Sequence, residues 1–308
     1  MTMTTPTPGD SRYITASKIP AILGLSKWES PAQLWMRMRG ELDPKESTPA
    51  LRRGVNQEAS ILDWYFTEMR PGYEKVSGET ILQREDMPWA SAAPDAIARD
   101  TDTGELLTVD AKSVARDMGI WGKPGTDEAP LSYVFQVQWQ MHMTHGFMGD
   151  QIRRGVLVKH GPFVDQWDEY IINYDPALCA KVEKIAFRFY ESLKNPDGCP
   201  APSAATGEAA AFAKQHPDIN KNEDWQINPE LAKAFVAARD AEKEAQGEIE
   251  RTKAEILRAM GKARNAKVGD LLIARRQPTR KGISLYPSQR QVTIQEIEQA
   301  TFKPLGGE

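Results

Sequence analysis

Apolar and polar positions form two short strand-like runs in the first half of the chain. Residues 97–99 and 106–109 are rich in apolar side chains, and an Asp/Thr/Gly cluster at 100–104 lies between them. A cluster of this composition between two apolar runs predicts a tight turn that joins two antiparallel strands. The pattern therefore predicts a β-hairpin.

The second strand of this hairpin places charged side chains on one face. Side chains alternate between the two faces of a strand, so Asp110 and Lys112 point in one direction, while Val109 and Ala111 point in the other. A turn centred near residue 102 sets Asp95 almost opposite Val109 and Asp110, and a one-residue bulge would complete the alignment. The two carboxylates are then about 5 Å apart at the backbone.

Two carboxylates at this separation repel each other unless a cation lies between them. Ligation by oxygen atoms alone suits Mg²⁺ or Mn²⁺, which take part of their coordination shell from water and substrate phosphate. Lys112, on the same face, is placed to position or deprotonate a water molecule. The trio predicts metal-dependent phosphodiester cleavage. The alternative interpretation is an exposed hairpin with a surface Asp/Lys pair.

Glu58 lies within a predicted amphipathic helix at residues 54–69. Apolar residues recur there at helical spacing: Val55, Ala59, Leu62 and Phe66. Glu58 lies off this stripe, shortly after the basic Arg52 and Arg53, and is a candidate ligand for a second metal ion, directly or through water. The alternative is a glutamate favoured by a helix N-terminus.

Residues 132–144 form a second predicted helix, with Val134, Val137 and Met141 buried. Its other face carries three polar or aromatic side chains: Tyr133, Gln136 and Gln140. Amides in such a row can orient the attacking water or hold phosphate oxygens, although glutamine also occurs on ordinary helix surfaces.

Two helix starts are predicted near the N-terminus. The sequence from Tyr13 to Pro20 indicates one, with Thr15 or Ser17 as its cap, and a helix N-terminus is a ready site for phosphate. Ser30 begins the second as a capping box with proline at the first helical position.

The chain has four predicted parts. Residues 1–11 are Thr/Pro-rich and expected to be disordered, 12–200 alternate helical and strand patterns, and 201–226 are interpreted as a linker. Residues 227–308 carry a long charged helix, exposed or paired, then a strand with basic neighbours. This basic tail is either a DNA contact or a solvated face.

Composition narrows the possible chemistry. The net charge of −4 argues against a generally adhesive nucleic-acid binder, but allows an acidic catalytic pocket with local basic patches. Two cysteines are too few for a disulfide framework or an iron–sulfur cluster, which predicts a cytoplasmic protein. The four histidines lack zinc spacing, and no run of about 20 apolar residues predicts a membrane span.

Four motifs in order resemble the phage YqaJ-like exonucleases, relatives of lambda exonuclease within the PD-(D/E)xK nuclease superfamily. They are ITASKIPAILGLSKWESP, RRGVNQE, the Pro-Asp/Asp-x-Lys hairpin and YVFQVQWQMHMT. The resemblance covers roughly residues 12–195, which makes 12–200 the nuclease domain and the rest an accessory extension. It implies an α/β (α+β), restriction-endonuclease-like core, in which helices flank a mixed central β-sheet.

The resemblance also implies residue roles. Asp95, Asp110 and the Ala111 carbonyl correspond to metal ligands, and Lys112 to the residue that activates the water. Glu58 and Gln136 correspond to the remaining catalytic positions. Asp110 departs from the pattern, since a glutamate, one methylene longer, is more usual there.

DNA contacts are implied at several further positions. Ser17 matches the serine that contacts the 5′ phosphate, and Arg12 is nearest to the arginine expected before this motif. Arg53, Tyr133 and Gln140 are additional candidate DNA contacts.

The resemblance implies Mg²⁺-dependent digestion of linear double-stranded DNA from the 5′ end, with Mn²⁺ as a possible substitute and two ions at the site. The product is a 3′ single strand for recombination. A ring-shaped homotrimer and a single-strand annealing partner are implied as well. Two alternatives stay open: a nuclease of other polarity or single-strand specificity, and a DNA-binding module that does not cleave.

Overall fold

The computed structural model describes residues 12–115, 119–148, 152–163, 165–205, 207–215, 217–280, 282–288, 290 and 292–300. The predicted disordered segment 1–11 lies outside these residues. The chain divides into two compact units, Met1–Ile219 and Asn220–Glu308. No helix within the described part of the chain is long and apolar enough to cross a bilayer.

The first unit combines helices with one sheet. Its elements, in chain order, are a 3₁₀ turn (Ala16–Lys18), α1 (Ile19–Ile22), α2 (Pro31–Met38), α3 (Pro49–Trp64), a π-helical turn (Tyr65–Met69), β1 (Tyr73–Ser77), β2 (Ala96–Asp100), β3 (Leu106–Ser113), α4 (Leu131–Met148), β4 (Ile152–His160), β5 (Trp167–Asn173), α5 (Pro176–Ser192) and α6 (Glu208–Gln215).

The five strands form one mixed sheet in the order β1-β2-β3-β4-β5. Strands β3 and β4 run parallel, connected through α4, and the other three pairs are antiparallel. The predicted mixed sheet and the β2–β3 hairpin are confirmed. The pairing of β2 with β3 runs in register from Ala96↔Val109 to Arg99↔Leu106, so the expected bulge is not present in this pair.

The hairpin turn is held by the side chain of Asp100. Its Oδ1 accepts hydrogen bonds from the backbone N–H groups of Asp102 (3.0 Å) and Thr103 (3.1 Å). The chain then reverses at Gly104, whose φ of +73° favours glycine. This short turn sets the register that brings the end of β3 beside Asp95.

Helices cover the two faces of the sheet. On one face, α3 and the turn after it bury Ile61, Leu62 and Tyr65 against alternate residues of β3, while α4 packs on the other face through Val137 and Met141. The stripe predicted for α3 is wrong at its start, because Val55 is 73% exposed and Ala59 is also exposed. The helix meets the sheet with its C-terminal half only.

Gly155 on β4 allows α4 to lie close to the sheet. A Cβ atom at this position would be 2.3 Å from Cγ1 of Val137 and 2.8 Å from Oγ1 of Thr108. Both separations are far inside van der Waals contact, so a side chain at residue 155 would push α4 away from the sheet. The missing side chain thus fixes how closely the polar face of α4 approaches β3.

The two predicted N-terminal helices differ in length and in how their first turn is capped. Ser30 forms the predicted capping box with Gln33, and Pro31 is the first residue of α2. The earlier start is a three-residue 3₁₀ turn followed by the four-residue α1. Thr15 occupies its cap position without a side-chain cap bond.

The segment assigned to a linker contains α6, which packs against α2. Glu208 at its start is only 2% exposed and accepts hydrogen bonds from the hydroxyl of Ser30 (2.7 Å) and from N (2.6 Å) and Oγ (2.8 Å) of Ser203. Burial opposes ionisation, but these bonds hold the pKa of Glu208 below its ordinary value. A buried carboxylate therefore ties this helix to the first unit, which extends to Ile219.

Replacing Glu208 with alanine is expected to lower the free energy of unfolding by about 1–3 kcal/mol, because Ser30 and Ser203 lose their acceptor. Since the pKa is lowered on folding, the contribution of Glu208 is present above the ordinary glutamate pKa and disappears as the pH falls through the lowered value. Urea titrations at pH 7 and pH 4 measure both effects. Glu85→Ala, at an exposed site, is the control and should leave stability unchanged; an equal loss for both variants contradicts the anchoring role.

The second unit contains α7 (Pro229–Met260), β6 (Asn265–Val268), β7 (Leu271–Thr279), β8 (Gly282–Pro287) and α8 (Ile294–Gln299). The long helix begins at Pro229, is capped by Asn228 and has no buried residue. A single strand was expected after this helix, whereas three antiparallel strands follow it. The guanidinium of Arg276 on β7 contacts the carbonyl of Gly261, directly after α7.

Candidate active site

Asp95 and Asp110 meet at the junction of β2 and β3. Asp95 directly precedes β2. Because Ala96 pairs with Val109 in an antiparallel arrangement, Asp95 lies opposite Asp110. Oδ2 of Asp95 accepts a hydrogen bond of 2.7 Å from the backbone N–H of Ala111. The structure therefore brings the two acids together, as the hairpin pattern predicts.

Asp110 is almost completely buried, at 1% exposure, and α4 supplies its hydrogen bonds. Its Oδ1 accepts from Nε2 of Gln136 at 3.1 Å and from Nε2 of Gln140 at 2.8 Å. Its Oδ2 lies in ion-pair contact with Nζ of Lys112. One oxygen is thus fixed by two amides, while the other faces the lysine.

Lys112 is held between the acids and an aromatic ring. Its Nζ lies 5.2 Å from the centroid of the Tyr133 ring, which in turn stacks on Trp121 with centroids 5.4 Å apart. Burial opposes the charge of Lys112, but the carboxylates of Asp110 and Asp95 raise its pKa above the ordinary value. The ammonium group is therefore fixed in position beside both carboxylates.

The acids of the site are crowded. Burial and the neighbouring Asp110 raise the pKa of Asp95 to about 8. Burial, Glu79 and Asp110 also raise the pKa of Glu58. Partly buried carboxylates with raised pKa values are an environment that favours an added cation, and oxygen donors of this kind fit Mg²⁺ or Mn²⁺.

Asp95 and Asp110 are the side chains that fit one ion best. Among the residues that the structure describes, no three His, Cys, Asp or Glu side chains are grouped closely enough to hold a metal ion. Glu58 interacts with Asp110 and Lys112 at longer range. It also lies in the interior of α3, which begins at Pro49, so a helix N-terminus does not explain its position. This geometry allows Glu58 to bind a metal ion through a water molecule.

The place of Gln140 differs from the prediction. Its side chain is 1% exposed and donates to Asp110, so it lies beneath the acids and is not on a surface that DNA can reach. The (i, i+4) spacing of Gln136 and Gln140 correctly placed both amides on one helix face. The sequence did not show that this face turns inward.

Arg53 and Tyr133 line a pocket of about 900 Å³, which Ser113 at the end of β3 also lines. Nε of Arg53 donates to Oε1 of Gln57 at 2.8 Å, and the same oxygen accepts from the hydroxyl of Ser113 at 2.6 Å. Gln57 and Ser113 were not singled out from the sequence. The one sequence feature that points to these two residues is that each directly adjoins a predicted site residue, Glu58 or Lys112.

The N-terminal candidates lie on the segment that packs against α4. Ser17 is exposed on the 3₁₀ turn, and its hydroxyl is 3.1 Å from that of Thr15. Arg12 is exposed, with its guanidinium carbon 5.7 Å from the Tyr13 ring centroid. Their assignment as DNA contacts stays a prediction.

Residues 10–146 match the family described as the YqaJ-like viral recombinase domain. This match confirms the resemblance for that segment. The YqaJ protein of Bacillus subtilis (strain 168), described as uncharacterized, is 23% identical over 264 residues, which are 83% of this chain and 78% of that protein.

Solved structures with some similarity include the alkaline exonuclease LHK-Exo from Laribacter hongkongensis. It is 20% identical with a TM-score of 0.45, and the match covers 61% of this chain and 90% of that one. A phage-related exonuclease from Haemophilus somnus 129PT is 15% identical with a TM-score of 0.43, over 59% and 95% of the two chains.

Proposed function

We propose that this chain is a metal-dependent exonuclease that digests linear double-stranded DNA from the 5′ end and leaves a 3′ single strand for phage-type recombination. The observation that carries the proposal is the convergence of Asp95, Asp110 and Lys112 at the end of β3, beside a pocket lined by basic residues. The family match over residues 10–146 supports the link to recombination and therefore DNA as the substrate.

Each residue near the acids has a distinct task in this proposal. Asp95, Asp110 and the Ala111 carbonyl would hold a divalent ion, Mg²⁺ or Mn²⁺, and Glu58 would bind a second one through water. A metal ion there lowers the pKa of water and offsets negative charge on the phosphodiester. Gln136 and Gln140 fix Asp110 in one orientation, so that its Oδ2 faces Lys112.

Lys112 orients the attacking water and stabilises the negative charge that builds up on the phosphate. Its Nζ is already placed by Asp110 and the Tyr133 ring, so little reorganisation accompanies the reaction. Arg53 donates to substrate phosphate from the pocket wall. A ring-shaped homotrimer and a single-strand annealing partner belong to the same proposal and rest on the resemblance alone.

The test uses linear duplex DNA labelled at the 5′ or the 3′ end, together with a circular duplex and a single-stranded oligonucleotide. We expect the wild type to release the 5′ label first with Mg²⁺ or Mn²⁺, to leave circles intact and to stop in EDTA. Lys112→Ala should lower the rate by about 10²–10⁴-fold. Lys184→Ala, which removes an exposed lysine on α5, should not change it.

Early release of the 3′ label overturns the polarity, and cleavage of circles overturns the exonuclease assignment. A wild type that binds DNA ends but cuts none of the substrates with either metal supports a binding module instead. Equal cleavage by Lys112→Ala and wild type removes Lys112 from the mechanism.

A further inference from the structure

The pocket beside the catalytic centre extends to the segment that precedes α2. Its lining includes Arg53, Ser113 and Tyr133 near the acids, and also Lys27 and Trp28. A volume of about 900 Å³ falls in the range of sites that enclose ligands of drug size, roughly 300–1,000 Å³. The pocket is therefore large enough for a nucleotide.

The pocket lining carries more positive than negative side chains. Its basic residues are Lys27, Arg37, Lys45, Arg53 and Lys214, and its acidic residues are Asp43 and Glu46. Glu29, which is buried, pairs with both Arg37 at 2.8 Å and Lys45 at 2.6 Å, so its single negative charge offsets one of these positive charges. The remaining positive charge attracts a polyanion such as a DNA strand.

Trp28 presents a largely exposed ring to this pocket. It is 77% exposed, whereas Trp35, one turn into α2, is 1% exposed in the core. Nζ of Lys27 lies 5.0 Å from the Trp28 ring centroid. A basic groove combined with an exposed aromatic ring is the arrangement by which proteins hold unpaired nucleotides, because every base has a face that stacks on the ring.

We propose that Trp28 stacks on an unpaired base of the DNA strand that enters this pocket, and that Lys27 neutralises an adjacent phosphate. The stacked base fixes how far the strand reaches, and so places a phosphodiester at Asp95, Asp110 and Lys112. This inference rests on the proposed function. Stacking discriminates little among bases, so the contact positions the strand without demanding a sequence.

The test compares Trp28→Ala, Trp28→Phe and the control Trp225→Ala. The control removes a tryptophan that is similarly exposed, at 80%, but lies in the second unit. Steady-state cleavage of linear duplex should show KM raised about 5- to 100-fold for Trp28→Ala, with a smaller change in kcat. Trp28→Phe should recover most of the loss, and Trp225→Ala should match the wild type.

A direct readout uses the fluorescent base 2-aminopurine in the terminal nucleotides of either strand, with Ca²⁺ in place of Mg²⁺. Quenching that is present in the wild type and lost in Trp28→Ala supports stacking, and the labelled strand on which it occurs identifies the one that enters the pocket. Circular dichroism checks that each variant is folded.

The possible failures are distinguishable. If the wild type cleaves DNA and Trp28→Ala has the same KM, the stacking inference is wrong while the proposed function stands. If the wild type does not cleave, the proposed function fails, and the 2-aminopurine signal still decides the role of Trp28. Loss of activity that Trp28→Phe does not recover, or quenching that is unchanged in Trp28→Ala on both strands, overturns the inference.

Discussion

Replacing Asp110 with asparagine is expected to lower kcat for DNA cleavage by about a thousandfold or more while the fold is retained. Asparagine has nearly the same shape, and its Oδ1 can still accept from Gln136 and Gln140. Its amide group, however, replaces the oxygen that faces Lys112, so the proposed metal ligand becomes a hydrogen-bond donor. Loss of metal stabilisation costs several kcal/mol of transition-state energy, and about 4 kcal/mol corresponds to a thousandfold.

Single-turnover cleavage of end-labelled duplex measures this loss, and calorimetric titration with Mn²⁺ measures binding of the ion independently of activity. We expect the wild type to bind Mn²⁺ and Asp110→Asn to bind it much more weakly. Asp63→Asn, at an exposed carboxylate on α3, serves as the matched control and should behave as the wild type. A variant at residue 110 that keeps more than about one tenth of the wild-type rate contradicts the catalytic assignment.

Replacing Gly155 with alanine is expected to lower the free energy of unfolding by about 1–3 kcal/mol, the usual cost of overpacking. Alanine would normally favour a strand interior over glycine by about 0.5–1 kcal/mol. Here the new Cβ would lie 2.3 Å from Val137, so the clash outweighs that gain. The cleavage rate should fall as well, since Val137 is adjacent to Gln136, and a displaced α4 weakens both amide contacts with Asp110.

Urea denaturation and cleavage assays on the same preparations check this expectation. Gly54→Ala is the control, because Gly54 lies within α3 and nothing is within 4 Å of its added Cβ. There the substitution should stabilise the protein by about 0.5–1 kcal/mol. If Gly155→Ala is as stable as the wild type and cleaves DNA equally fast, close packing of α4 does not hold the site together.

Local patterns in the sequence were sufficient to predict the hairpin that carries the acids. The alternation along β3 and the Asp/Thr/Gly turn depend on residues that are close in sequence, and they place Asp95 near Asp110 without any knowledge of the rest of the fold. The helix that carries Gln136 was predicted for the same reason. Its inward orientation follows from the close approach at Gly155, which is a long-range contact.

The features that the sequence pattern did not predict depend on which side chains the complete fold buries. The apolar stripe on α3 included Val55, yet the sheet covers only the C-terminal half of that helix. Composition alone made residues 201–226 a linker, but Glu208 finds its partner in Ser30, 178 positions earlier in the chain. A pattern of neighbouring residues cannot predict a hydrogen bond between residues so far apart in the sequence. The exposure of the Trp28 ring was not predicted for a related reason, because the exposure of a side chain depends on the whole fold.

The position of β3 in the sheet affects where the gene can be shortened. Asp110 lies on β3, which has one neighbour, β2, that precedes it in sequence and another, β4, that follows α4. The family match ends at residue 146, before β4 begins at Ile152. A fragment cut at the end of the match would leave β3 as an unprotected sheet edge, prone to pair with other chains. A shortened protein therefore needs to continue through β5 and α6, to about residue 219.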